Sequence, residues 1–184
     1  VRLLCERLGQ SQLLARVVAY QFAIDWSLKN FANARECTEQ LQDLAARTSN
    51  GITYFLAGST AGFLSNTSGD YVSARDYLER ALNLSDETRR ELINANTAIA
   101  FVNATGQFSL SLWVLGYPEQ ARNQHARLLD LVGKPIDAYA QCSGFDYECQ
   151  MSEFIRDNRR RLEAAQKAVA LARESGVAVH LGME

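Results

Sequence analysis

Apolar side chains recur along the chain with the three- and four-residue steps of an amphipathic helix. The clearest segment is "GDYVSARDYLERALNL", which begins at Gly69. In it, Ala74, Ala81 and Leu84 fall on one stripe of a helix, and the glycine allows the left-handed backbone of a tight turn. The segment therefore predicts the turn and the second helix of a helical hairpin. We place Tyr71 at the corner and the two alanines at points of close approach between helices.

The same frame occurs in two other segments, "KNFANARECTEQLQDL" and "GYPEQARNQHARLLDL". Ala34 lies 40 residues before Ala74, and Ala121 lies 47 residues after it. A weaker fourth copy, "RRRLEAAQKAVALARESG", keeps Ala168 but has Arg161 where the other copies have their first alanine. Self-similarity at this spacing is typical of stacked helical hairpins.

A longer apolar helix is predicted before each of these turns. The four segments are nearly apolar on two sides, as expected for helices between neighbouring hairpins, and none shows the alternation of a strand. Gly106, in the third segment, marks a point where that helix can bend or stop. The sequence thus predicts an all-α fold, a right-handed superhelical array of about four helical hairpins in a single domain over residues 1–184. The repeats are predicted at residues 11–47, 49–84, 86–132 and 135–175.

Composition narrows the class of protein. Of the 184 residues, 47% are hydrophobic and 22% are charged, which is the balance of a globular chain rather than a disordered one. The net charge of −2 gives no reason to expect nucleic acid or an anionic membrane as a partner. No stretch approaches the roughly 20 apolar residues of a membrane span, and no signal peptide is recognisable. The chain starts at Val1 and stops inside a helical pattern, so we expect it to be part of a longer protein.

The chain has four cysteines and two histidines, and none of them shows the spacing of metal ligands. The histidines are His125 and His180. We expect the thiols to be buried or half-buried in a reducing compartment, and no cofactor or metal is predicted. The cysteines are Cys5, Cys37, Cys142 and Cys149.

Three further groups have both a structural and a functional interpretation. An acidic group spreads over several faces of one predicted helix, so we expect solvated surface rather than the facing carboxylates of a hydrolase. The basic run "RDNRRR" at residues 156–161 fits the polar corner between two helices better than a grip on phosphate. Trp26 and Trp113 hold the same place in their repeats, where a core role is favoured over a ligand platform. The acidic group consists of Asp146, Glu148, Glu153 and Asp157.

The frame that begins at Gly69 resembles the tetratricopeptide repeat, although the spacing exceeds that family's usual 34 residues. A narrower resemblance covers nearly the whole chain. The words "WVLGYPEQA", "ERLGQSQLLARVVAYQFA" and "MSEFIRDNRRRLEAAQKAVALARESGV" look like the helical-repeat region that follows the ATPase module in large bacterial signalling proteins. Such proteins join that module to an adenylate/guanylate cyclase domain or to a transcriptional-regulator domain. The resemblance implies a cytoplasmic, non-catalytic interaction region, and the chain contains no P-loop motif.

The resemblance also implies a binding surface lined by the first helix of each hairpin. We expect four residues to contact a protein or a neighbouring domain of the same chain: Arg16, Phe63, Asn66 and Asn103. A homo-oligomer is a further possibility. A small-molecule-sensing or enzymatic helical domain with a pocket between helices is the alternative. A chaperone-type adaptor is disfavoured, because its carboxylate clamp needs Lys, Asn and Arg on the first helices. The corresponding positions here are Ala19, Ala23, Leu56, Ser59, Phe63 and Leu110.

Overall fold

The computed structural model describes residues 10–94 and 98–177, and these residues form nine helices and no strand. The all-α prediction is therefore confirmed. The helices lie within the four predicted hairpin segments, and their arrangement as one superhelical domain stays a prediction. In chain order they are α1 (Ser11–Ser27), α2 (Phe31–Arg47), α3 (Gly51–Thr67), α4 (Tyr71–Leu82), α5 (Asp86–Asn94), α6 (Ala98–Val114), α7 (Pro118–Val132), α8 (Ala138–Phe154) and α9 (Asn158–Ser175).

The chain divides into two compact units, Val1–Arg89 and Arg90–Glu184, with the boundary inside α5. In the first unit, α1 packs on α2 and α3, α2 packs on α3, and α3 packs on α4. The second unit repeats this scheme, because α6 packs on α7 and α8, α7 packs on α8, and α8 packs on α9. Each unit therefore contains two helical hairpins, and in each the first helix of one hairpin contacts the first helix of the next.

The four hairpins share one turn. The first helix is 17 residues long in all four, and three residues separate it from the second helix. The middle residue of every turn has a left-handed backbone, with φ of 62° at Lys29, 82° at Gly69, 83° at Gly116 and 59° at Arg156. Backbone amides then bond back to the end of the first helix, as in a Schellman cap. The repeat seen in the sequence is thus a repeat of backbone geometry.

Small residues set the distance between the helices of a hairpin. Ala74 and Ala81 are both fully buried in α4. The contact of Ala81 with Gly58 confirms it as a close-approach position, and the same role for Ala74 stays a prediction. A methyl group added at Gly58 of α3 would lie only 2.8 Å from the Ala81 Cβ atom, so the two backbones leave no room for a side chain. In the fourth hairpin Arg161 is exposed, and α9 packs instead through the row Ala164, Ala168 and Ala172.

Gly106 does not interrupt its helix. α6 runs through it without a break from Ala98 to Val114, so the expectation that the helix stops at this position is wrong. The physical reason for the glycine lies in packing. A side chain at Gly106 would overlap the ring of Tyr147, which is buried against this point from α8.

Candidate functional site

A buried charged cluster joins three helices of the second unit. Glu148 of α8 is only 6% exposed, and His125 of α7 is only 3% exposed. The Glu148 carboxylate contacts His125 Nε2 and accepts hydrogen bonds from Arg160 of α9, one from Nε and one of 3.0 Å from Nη2 to Oε2. One carboxylate thus ties α7, α8 and α9 together. We call these three residues the Glu148 cluster.

The environment of Glu148 keeps its carboxylate charged. Burial alone would raise the pKa of Glu148, but the hydrogen bonds from His125 and Arg160 and their charges outweigh burial and lower it. The same hydrogen bond to Glu148 raises the pKa of Arg160. Because Glu148 is buried, losing its partners would leave an uncompensated charge out of water. Arg160 is the more exposed partner, with 38% of its side chain accessible to solvent.

The interpretation of Glu148 as solvated surface is wrong. Glu153 is exposed, and Asp146 is half-buried. Asp157 accepts a hydrogen bond from the Arg160 amide and caps the N-terminus of α9. The sequence contains a signal for this buried site. In the first two repeats, the residue four positions after the first alanine of the frame is buried, and it is Thr38 in the first repeat and Leu78 in the second. His125 holds this position in the third repeat, four residues after Ala121. The repeat register therefore puts His125 in the core, where it needs a polar partner.

The cluster borders a groove of about 420 Å³ between the same three helices. Arg160 and Glu148 form one part of its wall, and Glu163 and Lys167 lie farther along α9. The apolar part of the lining consists of Leu129, Val132, Phe145 and Ala164. This volume falls within the range of small-molecule sites, which is roughly 300–1,000 Å³.

The accessibility of His125 argues against acid–base catalysis in this groove. Its Nε2 atom is held by Glu148. Its Nδ1 atom is buried away from solvent and has no hydrogen-bond partner among the described residues. A general acid or base must reach the proton that it transfers, and neither ring nitrogen is open to a molecule in the groove. His125 therefore joins α7 to α8 and is not placed to exchange a proton with a molecule in the groove.

The four residues predicted to contact a partner lie in both units. Phe63 of α3 is half-buried and packs edge-on against Phe22 and Trp26 of α1, with ring centroids 5.8 Å and 4.9 Å apart. Asn66, one turn farther along α3, is buried. Arg16 of α1 is half-buried, with its Nε atom shielded from solvent. The structure thus places Phe63 in an aromatic cluster across α1 and α3.

Asn103 lies in the second unit, on α6. Its side-chain oxygen accepts a 2.6 Å hydrogen bond from the Ser143 hydroxyl of α8. This bond joins the first helices of two successive hairpins and uses only the carbonyl side of the amide. The amide NH2 group can still donate to another molecule.

The remaining predicted groups take mainly structural places. Trp26 packs in the aromatic cluster, and Trp113 is half-buried with the Arg122 guanidinium 5.6 Å from its ring centroid. The basic run forms the corner between α8 and α9, and Arg161 pairs with Glu153 at 3.5 Å. Cys37 and Cys142 are buried and Cys149 is half-buried, and these three cysteines are not joined in disulfides. Cys5 and His180 lie outside the described residues.

Acidification is expected to weaken the Glu148 cluster. Because the pKa of folded Glu148 lies below its ordinary value of about 4.3, the carboxylate stabilises the fold above that pH. This stabilisation is lost as the pH falls from about 4.3 through the folded pKa. Urea unfolding at a series of pH values between 3 and 6 should show a decline that is reduced in Glu148→Gln. An equally steep decline in that variant would assign the acid sensitivity to other carboxylates.

No known protein family matches the chain, and a search of curated proteins gives no match either. Within residues 10–94 and 98–177, no helix combines the length and the apolar character needed to cross a membrane. No group of three or more His, Cys, Asp or Glu side chains in that part of the chain is placed to hold a metal ion.

Proposed function

We propose that this chain is a non-catalytic recognition module of tetratricopeptide-like helical hairpins that binds a protein or a neighbouring domain of its own polypeptide. The observation that carries the proposal is the repeated hairpin, with one turn geometry at Lys29, Gly69, Gly116 and Arg156. Repeated helical hairpins present long surfaces built from equivalent positions, and such surfaces suit extended partners. The binding surface is the one formed by the first helices.

Contacts between first helices support this choice of surface. α1 contacts α3 in the first unit, and α6 contacts α8 in the second, so successive first helices adjoin each other. Phe63 and Asn103 lie on these helices at half-buried positions. We further propose, from the resemblance in sequence, that the parent protein is a cytoplasmic bacterial signalling ATPase, cyclase or transcriptional regulator.

A second candidate function is favoured by the groove beside the Glu148 cluster. Its volume and its apolar lining with a charged wall are those of a small-molecule site. In this case the chain senses a metabolite rather than a protein. Equilibrium dialysis of the chain against a metabolite library, repeated with Lys167→Glu to identify ligands held in this groove, tests that alternative.

The recognition proposal is tested by a matched pair of variants across one hydrogen bond. Asn103→Ala and Ser143→Ala each remove the bond between α6 and α8, so they should lower the melting temperature by similar amounts. Only Asn103→Ala also removes the amide that recognises the partner. We expect it to weaken association with the adjoining domains of the natural polypeptide about fivefold, which corresponds to roughly 1 kcal/mol, as measured by isothermal titration calorimetry. Equal affinities for the two variants would show that Asn103 is a structural residue.

A further inference from the structure

The outer side of α1 carries a row of exposed apolar side chains. Leu13, Tyr20 and Ile24 are 45%, 51% and 53% exposed, and Val17 between them is half-buried. Their steps of four, three and four residues put them on one face of the helix. We call these four residues the α1 stripe.

The opposite side of α1 already faces the core of the first unit. Leu14, Val18 and Phe22 are buried there. A helix that is apolar on two opposite sides is typical of one buried between two layers. α1 has such a sequence, but the described residues supply a layer on only one side.

The corresponding face of α3 is covered. Gly69 lies 40 residues after Lys29, and this shift aligns Leu13, Val17 and Tyr20 with three buried residues of α3. It aligns Ile24 with Leu64, which is half-buried. α4 lies against another side of α3, where it meets Gly58 and Gly62. The aligned face is therefore covered by the hairpin that precedes α3, since α1 and α2 both pack on that helix. The three aligned residues are Thr53, Ala57 and Thr60.

The corresponding face of α8 is also covered, and here the contacting residues of the preceding hairpin are known. Gly144 aligns with Val17, and a side chain there would overlap Val132 of α7, the second helix of the preceding hairpin. Tyr147 aligns with Tyr20, and its buried ring lies on Gly106 of α6, the first helix of that hairpin. Met151, which aligns with Ile24, is buried as well.

We propose that the α1 stripe is the docking face for a further helical hairpin of the same polypeptide, placed before α1. Within each of the two units, the equivalent face on the first helix of the second hairpin is occupied by the hairpin before it. The register defines the chemistry of the missing hairpin: a small residue of its first helix lies on Tyr20, as Gly106 lies on Tyr147, and an aliphatic residue of its second helix meets Val17.

Photo-crosslinking in the full-length natural polypeptide tests this docking. Ile24 is replaced by p-benzoylphenylalanine, and crosslinked peptides are identified by mass spectrometry after irradiation. We expect crosslinks within one molecule, from position 24 to residues upstream of α1. The matched control carries the probe in place of Tyr77, which is exposed on α4, and should give no upstream crosslinks. Crosslinks only to a second copy, only to another protein, or none at all would overturn the proposal.

A second measurement compares thiol reactivity in the same full-length polypeptide. In the described structure Ile24 is more exposed than Tyr77, 53% against 38%. A cysteine at position 24 should nevertheless react with N-ethylmaleimide about tenfold more slowly than one at position 77, because it reacts only when the hairpin opens. Equal or faster labelling of Ile24→Cys would overturn the docking. Either failure leaves the proposed recognition surface untouched, since Asn103 lies outside the α1 stripe.

Discussion

Replacing Glu148 with alanine should lower the free energy of unfolding by about 3 kcal/mol, because leaving a buried polar group without its partner costs about 1–3 kcal/mol and more when a charged group is involved. The Arg160 side chain is 38% exposed, so its guanidinium can reach water and the cost stays below that of a fully buried ion pair. The substitution leaves the Arg160 guanidinium and the buried His125 ring without their shared acceptor. Urea unfolding at pH 7, followed by circular dichroism, measures the loss. We expect this to be one of the two largest effects of a single substitution considered for this chain.

The matched control for this prediction is Glu163→Ala. Glu163 pairs with Arg159 at 3.3 Å on the exposed side of α9, and exposed pairs contribute about 0–1 kcal/mol. A double-mutant cycle of Glu148→Ala with Arg160→Ala separates the pair from its surroundings. If Glu148→Ala cost no more than Glu163→Ala, the buried ion pair would not be a stabilising contact between α8 and α9.

Replacing Gly106 with leucine should be comparably severe. A single methyl group at this position already overlaps the buried ring of Tyr147, and overpacking of a filled core costs about 1–3 kcal/mol or more. Leucine is favoured over glycine in a helix by less than about 1 kcal/mol, so packing decides the sign. We expect a loss of about 3 kcal/mol in urea unfolding.

Gly133→Leu provides the contrast. Gly133 follows α7 with φ of −71°, and an added Cβ would meet nothing closer than 3.5 Å. The free energy of unfolding of the Gly133→Leu variant should stay within about 0.5 kcal/mol of the parent value. Equal losses for the two leucine variants would contradict the close approach of α6 and α8 at Gly106.

Much of the fold was accessible from local patterns. Gly69 and the fully buried Ala81 could be predicted, because the residue types needed at a left-handed turn and at a close helix contact are few. Arg156 also has a left-handed backbone, and no local rule selects arginine for that conformation. Its place became clear only from the position that it shares with Gly69 and Gly116.

Gly106 and Glu148 show why the rest could not be predicted. A glycine within a helical pattern indicates either a break or a close contact, and only Tyr147, 41 positions later in the sequence, decides between them. The acidic residues near Glu148 on its own helix indicate a solvated surface. Its partners come from two other helices, with His125 lying 23 residues away. Spacing along a single helix does not contain that information.

The three-residue turn also has a consequence for how the chain reaches its native state. Closing such a short connection costs little chain entropy, and the helix contacts within each unit join elements that are first or second neighbours along the sequence. Proteins with such a low contact order fold in about microseconds to milliseconds. Each hairpin can thus form early, as a unit that is stabilised when the next hairpin adds to it.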